Sequence, residues 1–357
     1  MCQLNARKPQ KALNALALCT TLACTVVHSD IALAKDDRPA VALEAGTAMP
    51  ANLVSAFELP NPEQFKGVKL VVVPEFSIEF LTDNGASSTN GNTSVSQVWR
   101  LRGVGPAEYQ AITDAAYSAL LRSLVAAGYE VVPSATMLAH PAYAKMTSAG
   151  KPTGLRTDSG IAMAPSGMVV MPLGTVSARQ SNSAGPLGAL QALQTIGTIA
   201  GSLGGESDVN EMARALDATV LRVRIATDFS QVGAERGLLQ RLSGKASVSG
   251  KAQPTIKAGA TALRVFTPQQ KAAQIMLANP LLLPEDTFVE TREATSAATV
   301  AGDVAGALLR LGAGISGGSQ TKEYEVVAEP AQYTLRMSEG MNQLAQGMVA
   351  RLAAATR

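Results

Sequence analysis

The residues point to an α/β (α+β) protein: a mixed sheet flanked by amphipathic helices, a β-hairpin extension in the C-terminal half, and a C-terminal helix. Three observations carry this. Val68–Leu81 contains the apolar run Leu70-Val71-Val72-Val73, as in a strand covered on both faces. A helical repeat after Gly105 leads into a second strand at Tyr129–Val132. From Lys245 to Ala328 short alternating segments predominate, before a last helix begins at Pro330.

Residues 1–34 have the layout of a secretory signal peptide. Arg7, Lys8 and Lys11 precede an apolar run from Ala12 to Val27, and Ala32-Leu33-Ala34 offers a cleavage site after Ala34. Thr21-Leu22-Ala23-Cys24 also resembles a lipoprotein box, which makes Cys24 a candidate for lipidation, although Thr21 stands where such boxes usually carry leucine. All three cysteines, Cys2, Cys19 and Cys24, fall in this leader, so a chain cut after Ala34 has neither thiol nor disulfide. The leader carries three basic residues and one acidic one. The remainder is therefore balanced at zero net charge, with no basic block, and nucleic acid is not an expected partner.

Residues 35–66, with four prolines and little periodicity, read as an extended lead-in. In the α/β unit at 67–150, Pro74 lacks an N–H and suits a bulge or an edge. Beyond it Phe76, Ile78 and Phe80 alternate with Ser77 and Glu79, which predicts one wet face. Thr82–Thr93 is polar and reads as a mobile loop, and Val95–Leu101 as a short strand with Trp99 as a core or rim anchor. Gly105-Pro106 opens a helix with Glu108 in its first turn. Tyr109, Ile112, Ala116, Leu120, Leu124 and Ala127 form its stripe, and Gly128 ends it. The strand at Tyr129–Val132 stops at Pro133 and is expected to run parallel to the first. Ser134 is expected to cap a short helix reaching Met146.

Residues 151–212 predict a strand at Met168–Met171, a Gly/Ala-rich helix at Gly185–Gly205 and a loop at Gly204–Asp208. In the strand and hairpin region, 213–329, Asp217–Phe229 sets Leu221, Val223 and Ile225 on one face and Arg222 and Arg224 on the other, solvated or paired with carboxylates. Lys245–Gln253, Ala260–Phe266, Thr287–Thr291 and Lys322–Ala328 read as strands, Thr267-Pro268-Gln269 as a turn, and Gly302–Gly318 as a short helix or hairpin tip. Residues 330–357 form a helix with Met337, Met341, Leu344, Met348 and Leu352 on its core face.

The sequence holds no catalytic constellation. Past the leader there is one histidine, His140, beside Pro141, so thiol chemistry and the usual zinc sets lack their residues. Gly314-Ile315-Ser316-Gly317-Gly318 misses the nucleophile-elbow spacing, and Gly244-Lys245 is followed by Ala246 where a phosphate loop needs serine or threonine. No cofactor is expected, and a hydrolase reading rests on an unrecognised serine paired with His140.

The order of parts resembles the curli secretion channel (CsgG-like) family. The resemblance lies in Val71-Val72-Val73 followed by Phe76, Leu120-Leu121 and Leu124 ahead of Gly128, the strand Tyr129–Val132, the strand Ala218–Ile225, hairpins through Ala246–Thr267 and Thr287–Val327, and the closing amphipathic helix. The sequence departs from the family at Pro133-Ser134, where Glu-Arg is usual, and in the length of 151–212. The resemblance implies a periplasmic α/β domain that oligomerises into a ring at the outer membrane. Two readings follow: an exported, non-enzymatic envelope protein that binds copies of itself and exported partners, or a soluble periplasmic adaptor.

Overall fold

A computed structural model describes residues 39–171, 206–234, 248–303 and 319–356, except 47, 61, 91, 92, 298 and 302. Its architecture is mixed α/β, and the described strands close no barrel. In chain order the strands are β1 (Val41–Ala42), β2 (Phe57–Glu58), β3 (Leu70–Leu81), β4 (Asp83–Asn90), β5 (Thr93–Arg102), β6 (Glu130–Val131), β7 (Leu155–Arg156), β8 (Gly160–Met163), β9 (Thr219–Ala234), β10 (Val248–Ile256), β11 (Ala262–Phe266), β12 (Ala272–Leu277), β13 (Leu281–Leu282), β14 (Glu290–Glu293) and β15 (Ser319–Val327). The helices are α1 (Pro106–Ala126), α2 (Ser134–Leu138), α3 (Pro141–Met146), α4 (Glu206–Ala215) and α5 (Pro330–Thr356).

The larger sheet is organised around β3 and β9, which run parallel, with β6 parallel to β3 as the α/β unit requires. The register of β3 against β9 shifts between Val72 and Glu75, so Val73 and Pro74 bulge opposite Leu221. A second shift, between Ala252 and Thr255, places Pro254 at the break of β10. In both places a residue without an N–H sits where the ladder is already interrupted.

Phe76 and Phe80 meet α1 through Tyr117 and Tyr109, with ring centroids 5.5 and 4.5 Å apart. α1 and α5 pack on each other over this apolar face, where Met341, Leu344 and Met348 join Phe76, Leu120 and Val223 around a small apolar void. α1 is entered as its sequence foretells: the Glu108 carboxylate accepts the Gly105 N–H at 2.8 Å, and Gly128 ends it at φ +92°. The five apolar residues named for the core face of α5 are all buried.

Other expectations need correction. The face of β3 bearing Ser77 and Glu79 is not wet; Glu75, Ser77 and Glu79 are all buried. Thr82–Thr93 is no mobile loop, since β4 pairs with β5 along its whole length. The expected helix capped by Ser134 and reaching Met146 is two helices: Pro133 is the N-cap of the first and Ser134 lies within it, and the two part because Pro141 starts the second and His140 caps it. Met168–Met171 makes only a single bridge, Lys151 to Val170, while the strands of that region are β7 and β8. Asp208 belongs to α4 rather than to a loop. Thr287 ends a 3-10 turn, and the strand starts at Glu290. Residues 39–66 are more than a lead-in: Leu53, Phe57 and Phe65 are in the core, and β2 pairs with β12.

The hairpins also differ from the expected ones. β10 and β11 do not pair with each other but follow one another along one edge of β9; the antiparallel partners are β9 with β10 and β11 with β12. The expected helix at Gly185–Gly205 and, apart from Asp303, the expected short helix or hairpin tip at Gly302–Gly318 lie outside the described residues.

Candidate interaction edge

The smaller sheet has the order β14-β15-β5-β4, with β15 and β5 parallel and the other two pairs antiparallel. Its inner face carries Asn84, Ala86, Gln97, Trp99, Leu101 and Val326 and lies over β9 and β10. Trp99 stacks on Tyr324 with centroids 4.6 Å apart and rests directly on Gly250, where a Cβ would come within 2.5 Å of the indole. Only glycine lets the two layers approach that closely. Gln97 donates to the Val248 carbonyl at 2.8 Å. The outer face is a charge ladder in which Arg100 meets Glu323, while Arg102 and Arg292 share Glu325. These hydrogen bonds hold both carboxyls below their ordinary range.

β4 ends this sheet. Its sequence, Asp-Asn-Gly-Ala-Ser-Ser-Thr-Asn, contains no lysine, arginine or proline, the residues that usually guard an exposed edge. The Thr82 carbonyl accepts the Leu101 N–H at 2.9 Å, so the antiparallel alternation turns the backbone of 84, 86 and 88 toward β5 and that of 83, 85, 87 and 89 outward. Two outward N–H groups have partners: Asp83 donates to the Ser159 carbonyl at 3.0 Å, and Gly85 to its neighbour's Asn84 Oδ1 at 2.8 Å. Among the described residues, the outward groups of Ser87 and Thr89 have none. Among the described residues several other edges are short or guarded, while β12 pairs with β2 only through Met276 and Leu277. β1 and β2 are two residues each, β14 is four exposed residues of which three are charged, and the outer side of β10 carries Lys251 and Pro254.

β4 is pinned from beneath by a buried polar strip on the larger sheet. Asn84 Nδ2 donates to Asp228 Oδ1 at 3.2 Å and to Ser230 Oγ at 3.0 Å. Lys257 pairs with Asp228 at 3.1 Å. Farther along, Arg224 lies 3.7 Å from Glu79, and Arg222 Nε donates to Glu75 at 2.5 Å. The arginines read from sequence as solvated or paired are thus paired, with carboxylates of the neighbouring strand. Burial raises the Glu79 carboxyl above its usual value despite Arg224 and Lys257, and burial lowers the Arg224 guanidinium. Arg222 stands directly opposite Arg264, both near the Phe266 ring, and its Nη1 is buried without a hydrogen-bond partner.

The remaining sequence candidates do not converge on this edge. His140 accepts the Ala142 N–H at 3.2 Å through Nδ1, as the cap of α3. Cys24, Ala34 and Ser316 lie outside the described residues. The edge itself went unread, although Asn90-Gly91-Asn92 is turn chemistry and Asn90 pairs with Thr93 across it. Among the described residues no helix is long and apolar enough to cross a membrane. No family model, curated protein or solved structure matches the chain.

Proposed function

We propose that this chain is an exported, non-enzymatic envelope protein of the secretion or assembly type, similar in role to the curli secretion channel family, that works by pairing its sheet edge with copies of itself or with exported proteins. Its place would be the periplasm or the periplasmic face of the outer membrane. The observation that carries the reading is the outer edge of β4, where among the described residues the backbone groups of Ser87 and Thr89 have no partner and no lysine, arginine or proline guards the strand. An exposed row of backbone donors and acceptors is a template for strand addition, and a second strand gains both hydrogen bonds and a continuous sheet.

Sizing after extraction tests it. A mature chain that sediments as an oligomer, or co-purifies with an exported protein through residues 85–90, supports the proposal; a monomer at all concentrations, with and without detergent, that also retains no exported protein refutes it. Mass spectrometry of the mature N-terminus separates cleavage after Ala34 from lipidation at Cys24. A second reading, a soluble periplasmic adaptor, is favoured by β10, β11, β14 and β15 finding their partners within one chain. It predicts release from the periplasm without detergent.

A further inference from the structure

We infer that the partner on β4 is the β4 of a second copy, joined antiparallel about a two-fold axis that passes beside Ser88. The inference rests on reading β4 as an interaction edge, and it names both the occupant and the register. Self-pairing places β4 beside its own reversed sequence. From Asn84 to Asn90 that sequence carries no charge, so no like charges are opposed within it in any register.

The free backbone groups then select the register. Hydrogen-bonded pairs in the new ladder must come from the outward-facing residues, 83, 85, 87 and 89. Asp83 and Gly85 have already committed their N–H groups to Ser159 and Asn84. Centring on Ala86 would match Thr89 with Asp83, and centring on Ser87 would match Thr89 with Gly85; each asks a spent donor to bond again. Centring on Ser88 matches Ser87 with Thr89 of the second copy and Thr89 with its Ser87, so the N–H and C=O groups of Ser87 and Thr89 are all used on each chain. Ser88 then faces its own copy as a non-hydrogen-bonded pair, with Cα atoms about 4.5 Å apart. Such an interface is isologous and closes at two chains.

Disulfide trapping reads this register, since the chain past the leader has no cysteine of its own. Ser88→Cys puts two thiols within the Cα separation of about 4.4–6.8 Å that a disulfide spans, whereas Ser87→Cys leaves its thiols displaced by two residues along the strands and beyond that reach. Each variant is expressed with its leader, purified from the envelope, oxidised with copper phenanthroline and run on non-reducing gels. The unsubstituted chain is the control for leader cysteines. We expect a dimer by sedimentation, and about tenfold more cross-linked dimer for S88C than for S87C. Ser87→Pro, which removes one outward N–H at an edge where proline is tolerated, should yield folded monomer.

Cross-linking through S87C as strongly as S88C, an assembly that survives Ser87→Pro, or a particle larger than two chains would overturn the inference alone. A chain that is monomeric at every concentration would overturn the proposed self-association with it.

Discussion

Exchanging Glu75 and Arg222, singly and together, measures what the buried polar strip does for the fold. Glu75 is 2% exposed and Arg222 6%, and a single Nε contact joins them while Arg222 Nη1 has no partner. Glu75→Leu leaves this guanidinium buried, unneutralised and facing Arg264, so it should cost about 3–5 kcal/mol; Arg222→Met strands the carboxylate at similar cost. The double variant removes both desolvated charges and relieves the Arg222–Arg264 opposition, and should fall within about 1 kcal/mol of the parent or exceed it. Urea unfolding followed at Trp99, the only tryptophan, and by far-UV circular dichroism gives each value. With a slope of about 3 kcal/mol/M, a single variant moves the midpoint down by about 1 M or more. If each single change costs under about 1 kcal/mol, or if the double variant costs their sum, the pair is not coupled and the reasoning fails.

Glu79 should show the opposite sign of pH dependence from a paired surface carboxylate. Its folded value is raised above the ordinary 4.5, so its contribution to stability is complete below 4.5 and is lost as pH rises through the raised value. The stability of Glu79→Gln relative to the parent should therefore rise as pH rises from acid to neutral, as thermal melts from mildly acidic to neutral pH would show. Gly250→Val drives a side chain into the Trp99 ring and should cost about 1–3 kcal/mol, with a red-shifted tryptophan emission reporting the separated layers. Asn84→Ala removes the donors to Asp228 and Ser230, and should raise amide exchange at residues 85–90 and weaken self-association while leaving the exchange of β3 and β9 unchanged.

What could be read in advance was whatever depends on local pattern. The stripe of α1 from Tyr109 to Leu124 (Ala127, expected to extend it, is the exposed C-cap), its Pro106 and Glu108 entry and its Gly128 exit, and the methionine face of α5 follow from spacing within one element, and the parallel pairing of Glu130–Val131 from the order of strand, helix and strand. The errors share a cause. Ser77 and Glu79 look solvent-facing because alternation of polar with apolar residues says only that two faces differ; it cannot reveal that Arg222 and Arg224, nearly 150 positions later, will stand on the neighbouring strand and pair with Glu75 and Glu79. β4 looks like a loop because its residues have low strand propensity, and it becomes a strand through its partner β5 and the Asn84 anchor. The expected hairpin of β10 with β11 failed for a related reason. Local alternation identifies strands, but β9 is 16 residues long and accommodates both in succession on one edge.

The strip and the edge belong to one physical arrangement. A strand of serine, threonine, asparagine and glycine has little apolar surface to hold it in place, and alone it would lose its extended form to chain entropy. Here the cost is met from within the chain: β5 supplies the ladder on one side, Ser159 fixes the first residue, and Asp228 and Ser230 hold Asn84 from below. Asp228 is itself paired with Lys257 at 3.1 Å in a half-buried setting, so the anchor is complete within the chain. A strand ordered in advance spends none of its binding energy on ordering itself. On the proposed reading, this ordering lets β4 act as an interface although Ala86 is its one apolar side chain. On that reading its affinity comes from backbone groups already aligned, and its selectivity from the short list of strands that can lie beside an uncharged, small-residue edge.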